Sequence, residues 1–185
     1  MNKERLFIFD TTLRDGAQTQ GVDFSVEDKR QIALALDDLG LDYVEGGWPG
    51  ANPTDSELFE TRRTKRAKFA AFAMTKRAGV SASNDPGLAA LVQSNSDAIC
   101  FVAKSWDYHV KVALGCTNQE NLDNIRDSVA AAVKAGKEAM VDCEHFFDGY
   151  KANPDYALAC ASTAGSRDTS YRAHRAAMAS PFSRA

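Results

Sequence analysis

At 185 residues, 44% hydrophobic and 25% charged, the chain has the composition of one globular domain, which excludes the disordered and fibrous classes. A formal net charge of -3 leaves no basic footprint of the kind nucleic acid needs, so nucleic acid is not expected as a partner. The N-terminal segment holds an apolar run of only four residues, too short for a signal-peptide core or a membrane span, and a cytoplasmic protein without a membrane partner is expected.

In chain order, short apolar runs alternate with longer amphipathic stretches, the pattern of repeated βα units on a parallel sheet. A first strand is expected over 6–10. Ser25, with Asp28 three positions on, then announces a helix that runs to about Leu39 and stops at Gly40. The second strand is placed at 42–47 and the helix after it at Thr54 to Thr64, capped by Thr54. The third strand is placed at 68–74, followed by a helix that opens at Asn84-Asp85-Pro86, where an early proline forfeits no hydrogen bond.

The fourth strand is read at 98–105, with a short helix over Trp106 to Leu114 and a long one over Asn118 to Ala135. The fifth strand is read at 138–145, and Asn153-Pro154 opens a helix through Ala164. At about 30 residues per unit, eight units need roughly 250 residues, the usual size of a closed (β/α)₈ barrel. The expected fold is therefore an α/β TIM barrel truncated to about five βα units, occupying residues 1–164. Cys100, Cys116, Cys143 and Cys160 lie far apart without a C-x-x-C pair and are read as reduced structural thiols, Cys143 in the core.

Residues 165–185 break the pattern. They hold four Arg and one acid but no Leu, Ile or Val, and no strand is drawn there. This segment is read as a disordered tail foreign to the fold, from an out-of-frame reading of the gene or as a genuine basic tail.

Catalytic groups of an α/β barrel stand at the C-terminal ends of its strands. The residues there are Asp10 to Gln18 after strand one, Glu45-Gly46-Gly47 after strand two, Lys104-Ser105 with His109 after strand four, and Asp142, Glu144 and His145 at strand five. Arg14-Asp15 places a carboxylate suited to a hard divalent cation beside a guanidinium suited to a substrate carboxylate or an enolate oxygen. Blander readings stand beside these. Asp10 can cap a turn, Glu45 can accept from backbone N–H groups, His109 and His145 can be loop histidines, Gly46-Gly47 can be a tight turn, and Tyr150 and Lys151 can lie on the surface.

The stretch DTTLRDGAQTQG resembles the signature of the metal-dependent acyl-CoA condensing and cleaving enzymes, which include isopropylmalate, homocitrate and citramalate synthases and hydroxymethylglutaryl-CoA lyase. YVEGGWPGANPTD resembles the second-strand loop of that family, and CEHFFDGYKANPDYAL resembles the fifth-strand segment of its citramalate synthase subgroup. The resemblance implies an acyltransferase that condenses acetyl-CoA with a 2-oxo acid, pyruvate before others, in isoleucine synthesis. Asp15 would be a ligand of Mg²⁺ or Mn²⁺ and Arg14 the catalytic cation. Gln18 and Glu45 would build the substrate site, and Glu144 would face the acceptor. A homodimer is implied for the intact enzyme. The chain by itself is expected to be an inactive fragment of such an enzyme, and the alternatives are an isopropylmalate synthase, a non-enzymatic truncated remnant, and a related lyase or aldolase. The family completes its metal site with an H-x-H or H-x-N pair on a later strand, and after His145 the sequence holds only His174.

Overall fold

The computed structural model describes residues 5–163 and 174–176. Among these residues two compact units emerge, one from residues up to 72 with 93–98 and the other from 73–92 with the described residues from 99 on.

In the first unit, β1 (Phe9–Asp10), β2 (Tyr43–Gly47) and β3 (Lys68–Met74) pair in parallel and in chain order, β3 carrying the chain on toward the second unit. Helices α1 (Val26–Leu39) and α2 (Pro53–Leu58) belong to this unit. A full capping box starts α1, because the Ser25 side chain accepts from the Asp28 N–H while Asp28 accepts from the Ser25 N–H, and left-handed Gly40 ends it. The expected Thr54 cap of α2 is corrected to Asn52, whose side chain accepts from Asp55 N at 2.7 Å. Pro53 takes the first helical position, where its fixed φ suits a start one residue earlier, and the helix closes at Leu58.

β1 is shorter than the expected 6–10. It finds a ladder only on its β2 side among the described residues, so Leu6, Phe7 and Ile8 remain exposed at 87%, 51% and 58%. The core of this unit is built on Leu13, Val44, Leu58 and Phe69, all fully buried, with Phe59 stacked on Phe69 at 4.5 Å between ring centroids.

The second unit contains α3 (Pro86–Gln93, its last residue in the first unit), β4 (Ala98–Lys104), α4 (Asp107–His109), α5 (Asn118–Lys134) and β5 (Glu138–Glu144). A π-helical turn, Val110–Leu114, extends α4 up to left-handed Gly115. Then come α6 (Phe146–Ala152), which the sequence reading did not draw, and α7 (Pro154–Thr163). Strand β6 (His174–Ala176) pairs in parallel with β5, where no strand was expected; an unpaired strand edge is a template that any extended segment can join. The rest of the expected tail lies outside the described residues. The four cysteines form no disulfide with one another, and Cys100, Cys143 and Cys160 are buried.

Asp37 ties the end of α1 to the approach to β3, accepting from the N–H groups of Lys65, Arg66 and Ala67 at 2.9, 2.9 and 2.6 Å. Burial pushes its carboxyl up, but the three N–H bonds outweigh that and hold it below the usual aspartate range. A depressed folded pKa gives stability that is fully present above the unfolded value of about 3.9 and is lost as pH falls through the folded value. Acid denaturation should therefore be less steep below about pH 4 in Asp37→Asn, which should also lose about 2 kcal/mol at pH 7. Urea melts across that pH range check both effects.

Candidate active site

The β1–α1 loop turns on Asp10. Its Oδ1 accepts from Thr12 N at 2.9 Å and its Oδ2 from Thr12 Oγ1 at 3.0 Å, the turn-capping geometry that the bland reading describes. Beyond it, the 3₁₀ turn Gly16–Gln18 brings Gln18 beside Arg14 in the wall of a cavity of about 400 Å³. Val22, Phe24, Trp48, Asn52, Asp55 and Phe72 also line this cavity.

Arg14 is fixed on three sides. Its Nε donates to Glu45 Oε2 at 2.8 Å, its Nη1 to Asp15 Oδ1 at 3.0 Å, and its guanidinium lies over the Phe72 ring at 3.9 Å from the centroid. The Glu45 side chain is fully buried, that of Arg14 14% exposed, and that of Asp15 60% exposed. A planar cation held edge-on by a buried carboxylate and face-on by an aromatic ring presents its remaining N–H groups in a fixed direction. The first unit thus brings together Arg14, Asp15, Gln18 and Glu45, four of the five residues expected to form the site.

The fifth, Glu144, belongs to the second unit, at the end of β5. It is ion-paired with Lys104 from the end of β4, and its backbone oxygen accepts from Ser105 Oγ at 2.7 Å. Buried Ser105 is thereby a tie between neighbouring strands. His145 follows with φ 55°, a left-handed conformation that costs a non-glycine residue about 1–2 kcal/mol. Its Nδ1 lies 3.3 Å from Asp148 Oδ2, and its ring meets that of His109 edge-on at 4.6 Å between centroids. Gly149 allows α6 to lie against the backbone of Ser105 and Trp106, where a Cβ would collide with both.

Burial first, and then the positive potential of His145 and Lys104, hold the His109 imidazole below the usual histidine pKa. His109 is thus expected to be neutral at pH 7 and to weaken the fold as pH falls below about 6.5 through its lowered value. An NMR titration of its ring protons checks this, with a midpoint below 6.5 expected.

Two residues of the cavity wall escaped the sequence reading. Lys29 and Asp55 form a buried ion pair, and Lys29 Nζ also donates to Gly46 O at 3.1 Å. The available signal was periodicity: Lys29, Ala33 and Asp37 make one buried stripe along α1. Among the described residues no group of three or more His, Cys, Asp or Glu side chains converges as a metal site.

The model of the HMGL-like family matches residues 5–168. The chain belongs to the HMGL-like family. It is 50% identical over 161 residues to a (R)-citramalate synthase of Streptomyces coelicolor, covering 85% of this chain and 30% of that protein. It is 33% identical over 165 residues to a 2-isopropylmalate synthase of Sulfurisphaera tokodaii, covering 89% of this chain and 40% of the relative. The chain thus spans about a third of the length of these HMGL-like relatives. Among solved structures, the HMG-CoA lyase of Bacillus subtilis matches with a TM-score of 0.61 at 19% identity, over 78% of this chain and 48% of that one. That likeness bears on fold alone, and the fold it indicates is the TIM barrel, of which this HMGL-like chain holds five βα units.

Proposed function

We propose that this chain forms the acceptor-binding part of an acyltransferase that condenses acetyl-CoA with a 2-oxo acid, with pyruvate as acceptor and citramalate as product. The observation that carries the reading is the Arg14 guanidinium, locked between buried Glu45 and Phe72 in the wall of a cavity.

In such a Claisen-type condensation a base takes a proton from the acetyl-CoA methyl group and the enolate carbon attacks the acceptor carbonyl. Thioester hydrolysis then releases CoA. The acceptor carbonyl oxygen gains negative charge as the new carbon–carbon bond forms. Arg14 donates to that oxygen, and because Glu45 already fixes its plane, the donor needs no reorganisation as charge develops. Gln18 supplies a neutral amide donor to the acceptor carboxylate. Glu144, ion-paired with Lys104, is read as a further carboxylate that faces the acceptor.

Asp15 has the chemistry of one oxygen ligand of Mg²⁺ or Mn²⁺, an ion that acts as a Lewis acid on a 2-oxo acid. The described residues alone do not complete such a site, and the sequence's three histidines, His109, His145 and His174, form no H-x-H pair. The intact enzyme is read as a cytoplasmic homodimer acting on small molecules, and this chain by itself as binding the acceptor without turning it over.

Isopropylmalate formation is the second reading, favoured by the 33% identity to the Sulfurisphaera enzyme. Binding of each acceptor to the chain in the presence of Mg²⁺, followed by NMR, separates the two. Saturable binding of pyruvate, tighter than that of 2-oxoisovalerate and lost in Arg14→Met, is the expected outcome. Preference for 2-oxoisovalerate transfers the assignment to the second reading, and binding of neither acid removes both.

A further inference from the structure

The buried Lys29–Asp55 pair lies in the wall of the cavity, and its bonds converge on one irregularity of the sheet. In the β2–β3 ladder Glu45 opposes Ala70 and Gly47 opposes Ala71, so Gly46 is an extra residue, a β-bulge directly after Glu45. A bulge leaves backbone groups without ladder partners, and buried ones must find others.

Lys29 Nζ donates to the Gly46 carbonyl, and Asp55 accepts from Trp48 N at 2.9 Å and from Asn52 Nδ2 at 3.0 Å as well as from Lys29. The glycines make room for this arrangement. A Cβ on Gly47, at φ 152°, would overlap the Asp55 carboxylate, and one on Gly46 would overlap the Phe69 ring.

We infer that Lys29, with Asp55, is a positioning residue for the reaction: it holds the Gly46 bulge, the bulge aims Glu45, and Glu45 fixes the guanidinium of Arg14. This rests on reading Arg14 as the group that meets the acceptor. Lys29 itself, with a side chain 5% exposed and its ammonium committed to Asp55 and Gly46, acts through others and not on the acceptor.

The test follows hydrogen exchange of the Arg14 Nε–H by ¹⁵N NMR in the full chain without any acceptor present, so its failure is separate from a failure of pyruvate to bind. In the native protein the Arg14 Nε–H is expected to exchange slowly because it is bonded to buried Glu45. Lys29→Met should accelerate it at least about tenfold. Since that variant leaves Asp55 buried and unpaired, Lys29→Met/Asp55→Asn is measured beside it, removing both charges at similar volume. Continued fast exchange in the double variant, at a melting temperature near that of the native chain, supports a positioning role. Native-like slow exchange in either variant overturns it, as does fast exchange in the native chain.

Discussion

Arg14→Met is expected to lower pyruvate-dependent release of CoA by about 10²–10³-fold in a chimera whose residues 5–163 replace the matching segment of the Streptomyces citramalate synthase. The magnitude follows from what the side chain offers. It is a donor oriented before the reaction, with Nε and Nη1 already committed to Glu45 and Asp15, and among the described residues Nη2 has no partner. Methionine keeps much of the contact with Phe72 but offers no hydrogen bond to the oxygen that gains charge. Arg14→Lys should recover little of the loss, because a point charge on a flexible stem cannot bond Glu45 edge-on and still present a second planar donor. A loss confined to KM with kcat unchanged would mean that Arg14 holds the acceptor equally in ground and transition states. Steady-state kinetics in pyruvate distinguishes these cases.

Glu45→Ala should carry the largest loss of stability, about 3 kcal/mol, because it leaves the mostly buried Arg14 cation without its carboxylate partner. Asp15 offsets part of this loss but is itself largely in solvent, where an ion pair contributes little. The companion variant Arg14→Met/Glu45→Leu removes both charges, and a buried ion pair replaced by apolar groups of similar size is close to neutral. Urea denaturation of the chain should thus show a large shift for Glu45→Ala and a small one for the double variant. Equal shifts would mean that the cost lies in lost packing at Glu45 and not in an orphaned charge.

Strands β2 to β5 were legible in the sequence because each is an apolar run bounded by turn residues, and β3 falls on the expected 68–74. The helix starts at Ser25 and at Asn84-Asp85-Pro86 were legible because capping and an early proline are local chemistry. The cap of α2, expected at Thr54, lies at Asn52, because Pro53 takes the first helical position and Asn52 reaches the Asp55 N–H. Helix α6 was missed because His145, its N-cap, makes no side-chain cap bond and takes a left-handed conformation that histidine rarely adopts.

The site divides the same way. Arg14, Asp15 and Gln18 could be read because the DTTLRDGAQ run carries them together, whereas the Lys29–Asp55 pair joins residues 26 apart through a fold not yet built. The glycine pair read as a tight turn is a bulge, and its need for glycine comes from Asp55 and Phe69, which no local pattern connects to it.

The most direct measurement is the rate of CoA release from acetyl-CoA by the chimera carrying the native 5–163 segment, with Mg²⁺ and with pyruvate, 2-oxoisovalerate or no acceptor. The account predicts turnover that requires an acceptor and is fastest with pyruvate. A folded chimera that releases no CoA in response to either acid, while the Streptomyces enzyme does so in the same buffer, would contradict it.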